Sequence, residues 1–413
     1  VERSLKRELR FLASIFSVTY YEGNIMSEEA QEGHEGQGVV SYNNAGSVPD
    51  ISLPDIPMPA PEPEQVKEVK DDIDVSFKFA FVGAGQGGSR IAETFHQLGY
   101  RKVAVLNTAE QDLNTVNLNN KLCIGEGGAG KDPKYAGKVF AERRDDVIDF
   151  MRYSFGEQLD RIMVCAGAGG GTGGGTVVPL VHAARELQET LGCSTKKVGV
   201  ILALPKFSEG KKVNANSHAC LSEVYDLVKE GIVSPLVVID NERIGKVYPN
   251  LVVSNFWQTA NMSMAGLFHL FNLTAARDSS YSSFDASDYK SILDSGMMIY
   301  GAAPVQNWED PISISRAIRD NFKSGLLSGG IDLSTGSSAG AIIVGGKEQL
   351  DNIQQTALDQ GFDQLTRMLK SGSVVHRGIY SGDKPNLTVY TAIGGLARPK
   401  QKLEELKKLG DLS

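Results

Sequence analysis

Cysteine is scarce in this 413-residue chain, with four in all, and acidic residues outnumber basic ones 50 to 42. Cys123, Cys165, Cys193 and Cys220 are widely spaced and form no CxxC pair. That argues against a zinc ribbon or a disulfide framework and fits a reducing, cytoplasmic setting. A net charge of −8 without any basic block removes the phosphate-neutralising surface that nonspecific nucleic-acid binding needs. No apolar run approaches the roughly 20 residues of a membrane span. The longest candidates, Ile162–Ala166 and Val198–Leu204, have the length of strands. No HxxxH pair marks a metal, and His96, His182 and His269 fall on expected helices as packing residues. GxxxxGK[ST] is missing as well, which excludes a P-loop of the usual form.

Glycine is what the chain has in excess, 45 residues, gathered in a few clusters. Residues 1–76 lie apart from those that matter. Gly33–Gly38 is polar and Leu53–Glu64 alternates proline with small or acidic residues. Such a segment buries too little apolar area to offset its ordering entropy, so it is expected to be a disordered, extended arm. Residues 1–25 are basic and partly apolar and read in two ways. One is a short amphipathic helix or targeting segment. The other is a stretch upstream of a start at Met26, since codons for Glu22-Gly23 can hold a purine-rich ribosome-binding sequence; that implies a bacterial, archaeal or viral gene.

The folded part is expected from Phe77. Strands are expected near Phe77–Val82, Lys102–Leu106, Arg161–Cys165, Val198–Leu204 and Leu236–Ile239, with helices at Ser89–Leu98 and Val177–Leu191 between them. This alternation predicts an α/β domain, residues 77–253, built on a Rossmann-like parallel sheet covered on both faces. A long central helix is expected across residues 254–278, where Leu267, Leu270, Phe271 and Thr274 share a face. A smaller α+β second domain follows at 279–395, with strands near Met297–Ala302, Ala341–Val344 and Leu387–Ala392. Helices are expected there near Ser313–Lys323 and Asp351–Leu369. Residues 396–413 read as a charged, solvated tail helix.

Strand, glycine loop and helix in succession place backbone N–H groups at a helix N-terminus, where anions bind. Gly83–Gly88 satisfies GxGxxG, which alone reads as a dinucleotide fold with Glu110 as a ribose ligand. Gly167–Thr176 holds seven glycines in ten residues, more than a tight turn needs. Its missing side chains let a backbone wrap a polyphosphate, with the threonine hydroxyls as further donors. A third loop, Gly125–Gly130, lies between the two in sequence. Three such loops at the carboxyl ends of one parallel sheet can surround a di- or triphosphate, whereas a dinucleotide fold usually uses one.

GAGGGTGGGT at 167–176 resembles the signature loop of the tubulin/FtsZ superfamily of polymerising GTPases, and the similarity runs from about Phe77 to Gly394. GAGQGGSRIA (83–92) resembles the first loop, with Gln86 as in tubulins. GAGKDPKYAGKVFAE (128–142) is similar to the FtsZ phosphate loop and following helix, and PKFSEG (205–210) to the segment with a ribose-contacting Glu. IDNE (239–242), TANMSMAG (259–266) and LLSGGIDLSTGSSAGAIIVGG (326–346) extend the series. The resemblance implies a nucleotide site made by Gly85, Gln86, Gly87, Gly88, Ser89, Gly128, Ala129, Gly130, Gly169, Gly170, Gly171, Thr172, Gly173 and Gly174. Glu209 would contact the ribose, and Asn241 and Asn261 the guanine. The implied ligands are GTP or GDP with Mg²⁺, the metal held mainly by phosphate and water and by no assigned protein ligand. Three positions depart from FtsZ: Val213 stands for a ribose-contacting Arg, Met262 for a guanine-reading Asp and Arg90 for an Asn.

The resemblance also implies that water-activating acids lie on a second-domain loop meeting the next subunit's nucleotide. SFDASDYK (283–290) is similar to NxDxxD, with Ser283 in place of Asn, and makes Asp288 and Asp285 the catalytic candidates. Spacing alone reads the same pair as a helix cap. The implied partner is a second copy, head to tail, in a filament serving cell division or DNA positioning, with an adaptor held by the N-terminal arm or the C-terminal tail. Two alternatives stay open. One is an NAD(P)-binding Rossmann oxidoreductase. The other, from Met262, Val213 and Ser283, is a nucleotide-binding scaffold that does not hydrolyse.

Overall fold

A computed structural model describes residues 69–250, 252–324, 329–382 and 385–411. The expectations for residues 1–68, including the Met26 start, lie outside the described residues. The first half of the chain runs β1 (Phe79–Ala84), α1 (Gly85–Gln97), β2 (Val103–Asn107), α2 (Glu110–Asn114), β3 (Lys121–Cys123), α3 (Pro133–Glu142) and α4 (Arg144–Phe155). It continues with β4 (Arg161–Gly167), α5 (Gly171–Thr190), β5 (Val198–Leu204), α6 (Lys211–Lys229), β6 (Val233–Asp240), α7 (Asn241–Val247) and the long α8 (Val253–Thr274). The second half holds α9 (Ala286–Leu293), β7 (Met297–Val305), α10 (Ser313–Ser324), β8 (Ser338–Gly346), α11 (Lys347–Asn352) and α12 (Gln355–Met368). Then come β9 (Val374–Gly382), β10 (Leu387–Leu396) and α13 (Lys400–Leu409).

One ten-stranded sheet carries both halves in the order β3-β2-β1-β4-β5-β6-β7-β10-β8-β9. β1 to β7 pair in parallel, as does β8 with β9; β10 is antiparallel to both its neighbours. Within the sheet the halves join at β6 and β7, where Leu236 pairs with Met297 and Val237 with Met298. Successive strand residues point to opposite faces, and β1 feeds both cores. Ala80, Val82 and Ala84 join the core under α3 to α6. Phe79 and Phe81 join the core under α1 and α8, where Phe268 meets Phe79 edge-on at 4.9 Å. Each fully buried Phe contributes about 1.5–3 kcal/mol, so α8 is held chiefly by its aromatic stripe.

Polar anchors fix where α8 and α9 end. Asn272 on α8 is buried; its amide donates to the Phe77 carbonyl and its carbonyl accepts from the Phe77 N–H, both at 2.9 Å. Arg161, at the start of β4 and 4% exposed, donates to the Ser234 carbonyl (2.8 Å) and the Leu293 carbonyl (3.2 Å) and pairs with Asp294 (2.5 Å). Burial alone would raise the Asp294 carboxyl; the Lys290 hydrogen bond and the Arg161 charge outweigh it and hold it below its ordinary value.

Three sequence expectations are corrected. The ordered body begins before Phe77: Ile73 and Val75 pack on the core, Asp71 accepts from the Arg101 N–H (2.7 Å) and Ser76 N–H donates to Asn272 (3.1 Å). Residues 69–76 therefore belong to the fold. The tail helix α13 is docked, with Leu406 fully buried and Leu403 nearly so. Both signature glycine stretches begin helices, α1 at Gly85 and α5 at Gly171. Glycine's low helix propensity argues for a loop, but close backbone packing overrides it. Among the described residues, no helix is long and apolar enough to cross a membrane.

Candidate functional site

A cavity of about 450 Å³ opens where β1, β4, β5 and β6 end, a volume suited to a small-molecule ligand. Of the residues implied by sequence, Gly85, Gln86, Gly87, Gly128, Ala129, Gly130, Gly169, Gly170, Gly171, Thr172, Gly173, Glu209, Asn241 and Asn261 line it together. Gly88, Ser89 and Gly174 do not border it. A Cβ on Gly88 would sit 2.1 Å from the Cys165 carbonyl oxygen, and one on Gly174 2.7 Å from that of Ala168. Those two glycines serve backbone packing, and Ser89 is 1% exposed.

The glycine loops are cross-braced. Thr172 Oγ1 donates to Asn107 Oδ1 (3.2 Å) and lies 2.8 Å from Thr108 Oγ1. Thr176 Oγ1 donates to the Thr172 carbonyl (2.8 Å). The threonine hydroxyls, expected as ligand donors, are thus spent inside the protein. Gly127 and Gly128 N–H groups donate to the Thr108 carbonyl. From α6, Asn216 reaches the Lys131 carbonyl (3.1 Å) and the Gly169 carbonyl (3.2 Å), and Lys212 the Gly130 carbonyl (3.2 Å). The start of α5, the start of α1 and the 128–131 turn are therefore locked around one space at two helix N-termini, an arrangement whose free backbone N–H groups suit an anion.

The other end of the cavity has a different character. Asn241 is 4% exposed, and its Oδ1 is a buried acceptor without a hydrogen-bond partner. A buried acceptor left unmade costs about 1–3 kcal/mol, which a ligand N–H would recover. Trp257, 36% exposed at the start of α8, also borders this space and presents an aromatic surface for a planar ring. Val213 and Met262 are 5% exposed, so the first offers apolar wall at the position where the resemblance puts the FtsZ arginine, and the second is packed away. Asp112, Lys131 and Trp257 line the cavity without having been named as site residues from the sequence, and Arg90, noted there only as a departure from FtsZ, is part of its wall. Asp112 accepts from Asn107 Nδ2 (3.1 Å), which sets its carboxylate on the glycine-loop side. Glu110, the ribose ligand of the dinucleotide reading, does not line the cavity.

Asp285 and Asp288 lie elsewhere in the chain. Asp285 Oδ1 accepts from the Asp288 N–H (2.9 Å), and Asp288 Oδ2 accepts from the Asp285 N–H (3.2 Å), a capping box at the start of α9. The cap read from spacing is present, whatever else the acids do. The other Asp288 oxygen is 2.7 Å from His376 Nδ1 on β9, a partner with no signature in the sequence. The Tyr380 hydroxyl accepts from the Phe284 N–H (2.8 Å) and donates to the Thr274 carbonyl (3.1 Å), fixing the loop to the far end of α8. Asn261 borders the cavity and Thr274 closes α8 thirteen residues on, about 20 Å along the axis. The acids are thus at the opposite end of the sheet from the cavity of their own chain. Among the described residues no group of three or more His, Cys, Asp or Glu side chains could hold a metal ion.

Residues 78–249 match the Tubulin/FtsZ family, GTPase domain. The tubulin-like protein TubZ of Bacillus cereus is 25% identical over 236 residues, 52% of each chain, so the match spans about half of that relative. Cell division protein FtsZ of Haloferax mediterranei is 24% identical over 356 residues, covering 82% of this chain and 83% of the relative. In fold, the chain is similar to TubZ of Bacillus thuringiensis serovar israelensis in a GTPγS-form protofilament, with a TM-score of 0.71 at 20% identity over 82% of this chain and 93% of that one. It is also similar to CetZ2 of Haloferax volcanii in a GTPγS-bound protofilament, with a TM-score of 0.64 at 22% identity over 81% and 98%. Family match, fold and glycine-lined cavity agree: residues 78–249 resemble the Tubulin/FtsZ GTPase domain, and the fold around them is the one seen in TubZ and CetZ2.

Proposed function

We propose that this protein binds GTP in the glycine-lined cavity, assembles head to tail into filaments, and hydrolyses the nucleotide with acids supplied by the next subunit. The observation that carries the reading is the separation of the two half-sites. The cradle and the Asp285/Asp288 pair sit at opposite ends of the sheet, so no single chain brings them together. A contact that joins one end of a copy to the opposite end of another does not close, and it propagates as a filament.

Within this reading the backbone N–H groups at the starts of α1 and α5 hold the phosphates, with Lys131 and Arg90 adding positive charge at the wall. Asn241 and Asn261 pair with the base edge, Trp257 covers its ring and Glu209 lies at the ribose. Asp112, a carboxylate on the phosphate side, would hold Mg²⁺, which would supply neutralisation of phosphate charge. Asp288 positions the attacking water, held in place by His376, while Asp285 shapes the turn. The protofilaments of TubZ and CetZ2, whose fold this chain shares, support a head-to-tail polymer.

The test is GTP hydrolysis against protein concentration, with Asp288→Ala as the variant. Wild-type turnover per molecule is expected to rise steeply with concentration, and D288A to lose at least about 100-fold while still binding nucleotide and forming filaments. Tight binding with turnover near zero in the wild type favours the non-hydrolysing scaffold. Turnover independent of dilution contradicts the shared site.

A further inference from the structure

The C-terminal helix α13 brings a buried lysine against the segments that carry Asn241 and Glu209. Lys402 is 5% exposed, and its Nζ lies 2.8 Å from Asp240 Oδ2 and 3.0 Å from Glu405 Oε2. The ammonium also stands 4.9 Å over the Phe207 ring. Burial would pull its pKa down; Asp240 and Glu405 outweigh this and hold it above its usual value, so the group stays charged. Buried lysines are uncommon, and an apolar residue would fill the same space without a desolvation cost.

What the charge touches gives it a role. Asp240 Oδ1 accepts from the N–H groups of Glu242 (3.1 Å) and Arg243 (3.3 Å), so this carboxylate caps α7, whose first residue is Asn241. Glu242 Oε2 in turn accepts from the Phe207 N–H (3.2 Å), and Phe207 opens the short turn Phe207–Glu209. One ammonium therefore braces both segments. The phosphate loops are braced separately: Lys212 and Asn216 reach Gly130, Lys131 and Gly169, whereas the Lys402 ion pairs are with Asp240 and Glu405. Around α13, Arg398 pairs with Asp226 (2.9 Å) and Lys211 with Asp411, which seats the helix on α6.

We infer that Lys402 is a positioning residue for the nucleoside end of the cavity, and that α13 is coupled through it to base recognition and not to phosphate binding. This rests on the proposed nucleotide reading of the cavity. By linkage, whatever shifts α13 changes affinity for the nucleoside, and nucleoside binding steadies α13 to the same degree.

The experiment uses the full chain and compares GTP with inorganic tripolyphosphate as competitors of a fluorescent GDP analogue. Lys402→Met is expected to lose roughly tenfold in GTP affinity, about the worth of one misplaced hydrogen bond in the site. Its tripolyphosphate affinity is expected to stay within about twofold, and Lys402→Arg to recover most of the loss. Asp240→Asn, which keeps a good cap but removes the charge partner, is expected to show the same split if K402M folds poorly. In the wild type, GTP but not tripolyphosphate is expected to slow amide exchange at residues 400–409. Equal losses for both ligands, or K402M binding GTP like the wild type, overturn the inference. A wild-type chain that binds tripolyphosphate as tightly as GTP overturns the underlying nucleoside reading instead.

Discussion

Gly175 and Gly87 sit in two similar glycine runs, and substituting each by Ala should have opposite consequences. On helix propensity alone, either change stabilises by about 1 kcal/mol. For Gly175 in α5, a Cβ would stand 2.1 Å from the carbonyl oxygen of Pro133, the first residue of α3. Ordinary contact begins near 3.4 Å, and both atoms belong to the backbone. No rotamer relieves the clash, so α3 must move away from α5 by more than an ångström. Overpacking of this kind costs about 1–3 kcal/mol, and a rigid backbone puts it at the upper end. The net expectation for G175A is a loss of about 2 kcal/mol, or roughly 4–8 °C in Tm. Gly87 is exposed in the cavity wall, and its Cβ would lie 3.4 Å from Gly167 Cα, an ordinary distance. G87A should therefore keep or gain stability yet lose at least about tenfold in nucleotide affinity, because the methyl group occupies the anion's approach. Thermal unfolding and fluorescent-nucleotide titration read both effects. A G175A protein as stable as the wild type refutes the packing argument. A G87A protein with undiminished affinity refutes the placement of phosphate at that wall.

Two further outcomes follow from the same geometry. The Asp294 carboxyl is held below its ordinary value, so its contribution to stability is complete above the unfolded value near 3.9 and is lost as pH falls through the folded one. Asp294→Asn should cost about 1–3 kcal/mol at neutral pH, less than a fully buried pair because Asp294 keeps some solvent contact. In acid denaturation the gap to the wild type should close below about pH 4; a gap of constant size speaks against the linkage. Asp112→Asn should leave nucleotide affinity in EDTA nearly unchanged while removing most of the gain from added Mg²⁺. Calorimetric titration measures both, and an unchanged Mg²⁺ gain removes Asp112 from the metal's surroundings.

Long apolar runs and glycine clusters were readable in the sequence because each reports a simple physical demand. Val198–Leu204 is one strand with those same ends, since a strand buried on both faces must be apolar throughout. β9 escaped notice because an edge strand reading VVHRGIYSG mixes exposed and buried positions without a clean period. β3 is three half-buried residues, too short for any pattern. The helix starts at Gly85 and Gly171 were displaced because propensity counts single residues and cannot weigh a neighbouring backbone. Around the cavity, loop glycines and the two asparagines were recognised through motifs. Trp257 carries no site role in the sequence reading, although an aromatic at the polar start of a helix is a usable sign. Asp112 and Lys131 were overlooked because their significance comes from walls that only the fold assembles. The meeting of Asp288 with His376 joins residues 88 positions apart and leaves no local trace.

The crowding around Gly88, Gly173, Gly174 and Gly175 bears on how such sequences change over generations. Where added carbon would collide with Cys165, Gly167, Ala168 or Pro133 main chain, architecture itself forbids anything larger, whether or not a ligand is ever bound. A descendant that abandoned its nucleotide would still have to keep those four positions bare. The positions free to drift would be Gln86, Gly87 and Gly170, which border the cavity; at the two glycines an added Cβ meets no backbone clash. In this lineage the most recognisable part of the motif is a record of the scaffold, and its least conspicuous letters are the ones that report on chemistry.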